Sequence, residues 1–173
     1  MTLRLILMRH AKSSWDDALT DDHSRVLNKR GRHSAVAVGK WLARSGFEPD
    51  FVLCSSAART GETWALIANE MVGKPNVRYD GSLYLAAPEH MLSVLQGVQG
   101  TPSVLILGHS PGTALLAEAL AAQAPQHAQF SRYPTAATTV MEFDATSWKR
   151  IGWKQGDVVD FVIPRELVKM PRR

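Results

Sequence analysis

Three short apolar runs in this chain each end in a cluster of polar residues that could do chemistry. Leu3–Met8 leads into Arg9-His10-Ala11-Lys12-Ser13, Phe51–Cys54 into Ser55-Ser56-Ala57-Ala58-Arg59-Thr60, and Ser103–Leu107 into Gly108-His109-Ser110-Pro111-Gly112. In open α/β sheets ligands bind beyond the carboxyl ends of the strands, so clusters far apart in sequence can converge there. The convergent set is Arg9, His10, Arg59 and His109. Two permanent guanidiniums and two imidazoles suit a phosphoryl dianion, because the planar guanidinium fork matches phosphate oxygens. A metal site would need a more regular His/Asp/Glu spacing, and no metal or other cofactor is expected.

Neutral imidazole is a competent nucleophile, since its ordinary pKa of about 6.5 leaves it mostly unprotonated near neutral pH. Phosphoryl transfer needs positioning and stabilisation of spread negative charge, which two arginines and a protonated histidine supply. Attack by His10 gives a phosphohistidine intermediate that water then cleaves. A single Arg-His pair after a strand is usually structural, and a lone loop-end histidine is as often satisfied as catalytic. The weight rests on the combination of three loops. His23, His33, Lys40, His90 and His127 are expected at solvated, non-catalytic positions.

The elements that must position this set follow from hydrophobic periodicity. The branched apolar runs read as buried strands, with Val77–Tyr79, Thr138–Phe143 and Val158–Ile163 as further strands. Helices are expected from Asn28, a natural N-cap, to Ser45-Gly46; from Thr60 to Met71, before Gly73 and Pro75; over Pro88–Gly97; and, Ala/Leu-rich, to about Ala122 after the Gly108 cluster, with Pro111 in the first turn. Ala11–Leu27 has no clean period and reads as a long functional loop. The alternation implies an α/β protein with three layers, α/β/α, around a mainly parallel central sheet.

With 173 residues the chain is sized for one domain, placed at residues 1–164, followed by a short basic tail at 165–173 that is expected to be partly disordered. Hydrophobic residues make up 45% and charged residues 21%, as in soluble globular proteins. No apolar stretch is long enough for a bilayer, so no membrane partner is expected. The first run lacks the features of a secretory signal, which makes a cytoplasmic location the expectation. The lone Cys54 excludes an intramolecular disulfide framework and, lying in an apolar run, reads as a buried structural thiol. The net charge of +4, concentrated in Arg25–Arg44 and the tail, favours an anionic partner. No aromatic-basic stripe accompanies it, so a phosphorylated substrate is expected and nucleic acid is not.

These residues resemble the histidine phosphatase superfamily, whose Arg-His-Gly signature corresponds here to Arg9-His10-Ala11. Along most of its length the chain is similar to the SixA-like phosphohistidine phosphatases. The similar stretches are Arg25-Val26-Leu27-Asn28 with Gly31, Cys54 to Thr63, Gly108-His109-Ser110-Pro111, and Pro134-Thr135-Ala136-Ala137. The resemblance implies a phosphoglycerate mutase-like fold, His10 as nucleophile, and a phosphate pocket of Arg9, Arg59 and His109 joined by Ser13. It also implies a metal-independent hydrolase that dephosphorylates histidine on a phosphorelay-type protein. Ala11 departs from the usual glycine, so the backbone there must accept a Cβ. Asp16 stands where mutase-like relatives carry a phosphate-contacting asparagine, and its charge would repel phosphate.

An alcohol leaving group needs a proton in the transition state, and Asp16, Asp22 and Glu89 are the candidate general acids. None stands out by motif. Imidazole leaves far more readily than an alkoxide, so a missing strong acid fits a phosphohistidine substrate. The alternatives are a small-molecule phosphomonoesterase or mutase of the same superfamily, and a non-catalytic phosphate-binding module.

Overall fold

Strand β1 (Thr2–Arg9) sends alternate side chains to two opposite cores, as a central strand must. Leu3, Leu5 and Leu7 enter one apolar cluster, and Ile6 and Met8 enter the other. The computed structural model describes residues 1–168. The other strands are β2 (Phe51–Ser55), β3 (Asn76–Asp80), β4 (Ser103–Gly108), β5 (Thr138–Asp144) and β6 (Asp157–Val162). They form one sheet in the order β3-β2-β4-β1-β5-β6. The pairings β3·β2, β2·β4 and β4·β1 are parallel, while β1·β5 and β5·β6 are antiparallel. The sheet is therefore mixed, with its parallel half on the side where the three polar clusters emerge.

Helices α1 (Lys29–Arg44) and α2 (Ala58–Ala68) cover one face of the sheet, and α3 (Pro88–Gln96) and α4 (Gly112–Leu120) the other. This gives the three layers expected. On the first face Trp41, Leu42, Trp64 and Ile67 pack over Ile6, Met8, Val52 and Leu105. On the second, Leu92, Leu95, Leu116 and Leu120 pack over Leu5, Leu7, Val104 and Ile106. Each such side chain contributes about 1.5–3 kcal/mol by leaving water. Cys54 is fully buried, and burial pushes its thiol pKa up to about 12, consistent with a structural role.

Asn28 caps α1 as expected, its side chain accepting from Gly31 N at 2.8 Å. Gly31 is required by a close approach, since a Cβ there would collide with the carbonyl of Lys12. Helix α2 starts two residues before Thr60 and ends before Met71. Its last turn tightens into i→i−3 bonds, Glu70 N to Ile67 O and Met71 N to Ala68 O. Helix α4 stops at Leu120 because Ala121 turns extended and bridges to Gly156. Pro111 is the N-cap of α4, one position before its first turn. Beyond β6, α5 (Pro164–Val168) carries the start of the basic segment and packs on α1, with Leu167 against the core beneath α1 and α2. The rest of the expected tail, 169–173, lies outside the described residues.

Candidate active site

The register of the parallel strands explains why the polar clusters meet. Arg9 pairs with Gly108 across β1·β4, and Cys54 pairs with Leu107 across β2·β4, so the three strands end level. His10 and His109 are each the next residue out, and their ring centroids lie 5.4 Å apart. Arg59 reaches the same point from the first turn of α2. All three are nearly inaccessible to solvent, at 6%, 3% and 2% exposure. They line a cleft of about 680 Å³, together with Arg9 and Ser13.

Hydrogen bonds fix the tautomers of both histidines. His10 Nδ1 lies 2.7 Å from the carbonyl of Ala11, which can only accept, so Nδ1 carries the proton. Its Nε2 then bears a lone pair, and accepts from Arg59 Nε at 3.3 Å. His109 Nδ1 accepts from Arg59 Nη2 at 3.2 Å, which leaves the proton on Nε2, donated to Ser55 Oγ at 2.7 Å. Burial, with Arg59 nearby, lowers the His10 pKa to about 4 and that of His109 to about 3. Both are neutral at pH 7, so the protonated histidine expected from sequence is not present in this arrangement.

Arg59 is committed on every side. Its Nη1 donates to the carbonyl of Asp22 at 2.6 Å, and its Nη2 donates to Asp22 Oδ2 at 3.0 Å. Asp22 also accepts from Arg25 Nη2 at 3.1 Å and, through a short bond, from the Tyr84 hydroxyl. These partners, Tyr84 foremost, hold the Asp22 carboxyl far below the usual carboxylate range, so it stays ionised. Arg9 is held by the carbonyl of Tyr133 at 3.0 Å, while its buried Nε has no partner among the described residues. Burial first and Arg59 second lower its pKa, yet a guanidinium in a protein keeps its charge.

Of the three candidate acids, only Asp22 lines the cleft. Asp16 and Glu89 are exposed and lie outside it. The loop turns away after Trp15, whose ring stacks on Arg25 with the guanidinium carbon 3.6 Å from its centroid. The Asp16 charge therefore does not face a phosphate in the cleft, which corrects that expectation. Ser13 Oγ lies in the cleft but accepts from Arg25 Nη1 at 2.5 Å, so it anchors a cation. Ala11 has no positive φ, is fully buried, and donates its N–H to Thr63 Oγ1 at 3.1 Å, so its methyl group is accommodated.

Several contributors were not singled out by motif. By sequence Ser55 is a polar strand end, and Arg25 belongs to a basic stretch and to one of the similar stretches, with no site role assigned to either. Tyr84 stands edge-on between His23 and His109, with centroids 4.9 and 5.3 Å away. His23 thereby sits at the margin of the site, bonded to Ser56 Oγ at 2.9 Å, while His33 and His90 are exposed and His127 pairs with Glu166. The segment before β5 supports the site from below. Ala136 N donates to the carbonyl of His10 at 2.9 Å, and Tyr133 and Ala136 adopt positive φ of 48° and 63°. Such backbone costs about 1–3 kcal/mol per residue and persists where surrounding contacts enforce it. No group of three or more His, Cys, Asp or Glu is gathered among the described residues in a way that could hold a metal ion, and no helix there is long and apolar enough to cross a membrane.

Residues 5–83 match the family model of the histidine phosphatase superfamily (branch 1), a stretch that includes Arg9, His10, Arg25 and Arg59. An uncharacterized protein of Mycobacterium tuberculosis is 33% identical over 164 residues, covering 91% of this chain and 100% of that protein. An uncharacterized chloroplastic protein of Arabidopsis thaliana is 36% identical over 120 residues, 63% of this chain and 55% of that protein. The chain thus aligns with only about half the length of this plant relative. Among solved structures, a candidate phosphohistidine phosphatase SixA from Nakamurella multipartitia superposes with a TM-score of 0.77 at 26% identity, over 95% of this chain and 97% of the other.

Proposed function

The chain belongs to the histidine phosphatase superfamily, and from that premise we propose that it removes phosphate from protein histidine through a covalent intermediate on His10. The observation that carries this is the His10 tautomer. Its proton is tied to the Ala11 carbonyl, and the unprotonated Nε2 lone pair faces the Arg59 guanidinium, whose Nε donates to it. In the first step Nε2 attacks phosphorus and the P–N bond to the substrate imidazole breaks, its electron pair leaving with that nitrogen. If the other ring nitrogen is already protonated from solvent, the leaving group is neutral imidazole. Arg9 and Arg59 balance the charge on the equatorial oxygens. Water then displaces phosphate from His10.

The substrate assignment is supported by the state of Asp22. It is the one candidate acid in the cleft, and three partners keep it ionised. An ionised carboxylate cannot give a proton to an alkoxide, whereas a phosphohistidine leaving group needs none from the enzyme. The test combines intact mass after rapid quenching with a phosphoramidate and hydrolysis of a phosphohistidine protein. A phosphate adduct lost in His10→Ala, with turnover lost in parallel, is the expected result. Full activity in His10→Ala sinks the mechanism, and a large kcat/KM preference for sugar phosphates or phosphoserine sinks the substrate.

A further inference from the structure

Six cations line the cleft, Arg9, Lys12, Arg25, Arg30, Arg59 and Arg165, against the single carboxylate of Asp22. Asp22 is shared by Arg25 and Arg59. A phosphoryl dianion is matched by Arg9 and Arg59. Lys12, Arg30 and Arg165 are then in excess, and each is exposed and forms no ion pair among the described residues.

All three line the same cleft, and the fold shows how they reach it. The carbonyl of Lys12 accepts from Asn28 N at 3.0 Å and abuts Gly31, which seats Lys12 against the first turn of α1. Arg30 belongs to that turn, and α5, which packs on α1, contributes Arg165 to the same cleft. The nearest acidic neighbour in sequence, Glu166, is turned to His127 at 2.8 Å. At the mouth stand two large apolar side chains, Trp15 at 75% and Leu85 at 57% exposure. Both line the cleft, and Leu85 is held at a φ of 52°.

We propose that Lys12, Arg30 and Arg165 form an anion subsite beside the phosphoryl site that receives acidic residues flanking the phosphorylated side chain of a protein substrate. The proposal rests on the phosphohistidine phosphatase reading and adds the sequence context that the enzyme selects. A polypeptide is the occupant favoured by the mouth, because Trp15 and Leu85 offer contact area that a small polyanion leaves unused. Exposed ion pairs are individually weak, so the three together give about a tenfold preference, reduced by salt.

The test uses two peptides carrying a stable phosphohistidine mimic, one flanked by Asp and Glu and the other by Ser and Ala. Affinity is read by fluorescence anisotropy at low and high salt. Wild type is expected to bind the acidic peptide about tenfold more tightly at low salt. The triple variant Lys12→Ser, Arg30→Ser, Arg165→Ser is expected to lose the preference and keep wild-type turnover of a small phosphoramidate. Arg30→Glu, which retains an exposed charged side chain, is expected to shift preference toward a Lys-flanked peptide. Equal binding of both peptides by wild type, or a preference that survives in the triple variant, overturns the subsite. So does a pyrophosphate affinity that drops in the triple variant while the peptides bind unchanged. An enzyme that hydrolyses phosphoesters but not phosphohistidine peptides overturns the function reading instead, which the binding data keep separate.

Discussion

Arg59 Nε and His10 Nε2 face each other at 3.3 Å, a guanidinium donor against an imidazole lone pair. On the proposed mechanism a phosphoryl group would arrive beside this pair, with the attacking nitrogen and a stabilising cation adjacent to each other. The pair also makes Arg59 the hub of the site, with His109 and Asp22 on its remaining nitrogens.

If Arg59 holds the phosphoryl group as proposed, Asp22, already bonded to Arg59, would compete with it. Asp22→Asn keeps the side-chain shape and removes the charge, and is expected to tighten competitive inhibition by inorganic phosphate several-fold with little loss of kcat on a phosphoramidate. Inhibition constants and kcat, measured together, check this. A collapse of kcat confined to phosphoesters would instead identify Asp22 as a proton donor.

Ser55 positions His109. Ser55→Ala removes the acceptor for the Nε2 proton and releases the ring from the tautomer that points Nδ1 at Arg59. A wrongly presented hydrogen-bonding group costs about 1–3 kcal/mol, so kcat is expected to fall about tenfold or more. Ser55→Thr, which keeps the hydroxyl, is expected to restore part of the rate. No difference between the two variants would reduce Ser55 to a packing role.

Oxyanion binding is expected to take up a proton. His109 lines the cleft with its Nδ1 lone pair turned to Arg59, and its pKa of about 3 reflects burial and the proximity of Arg59. A tungstate or phosphate dianion adds negative charge beside it, raising the pKa and favouring a donating imidazolium. Calorimetry in buffers of different ionisation enthalpy reads the uptake directly. Buffer-independent enthalpies near pH 6 would contradict it.

Stability is expected to fall on mild acidification. Unfolded histidine titrates near about 6.5, whereas folded His10 and His109 titrate near about 4 and about 3, so between these values the unfolded state binds more protons. Stability therefore drops as pH falls from about 6.5, by about 1.4 kcal/mol per unit for each group, until the folded values are reached. Asp22 adds to the loss lower down, because the stabilisation from its depressed carboxyl is full above the unfolded value near about 3.9 and is lost progressively as pH falls below it. Denaturant midpoints of wild type and of His10→Gln/His109→Gln, across pH 4 to 7, check the slope, which is expected to flatten in the variant.

Pattern alone carried the strands, the three-layer architecture and the four residues Arg9, His10, Arg59 and His109. Buried strands announce themselves by branched apolar runs, and a polar cluster directly after such a run has little choice of position. Helix ends were less legible, as at Ala68 and Leu120, because local hydrogen bonding decides them. What only tertiary structure decided was how each of those four is held. Ser55, Asp22, Tyr84 and Tyr133 act through contacts 54, 37, 62 and 124 residues away from their partners His109, Arg59, Asp22 and Arg9. Tautomer and pKa depend on burial and on the atom opposite each nitrogen, quantities that no local spacing encodes. The sequence by itself determined which groups could attack and bind a phosphoryl ion; the assembled sheet end decided that His10 presents a lone pair and that Asp22 stays charged.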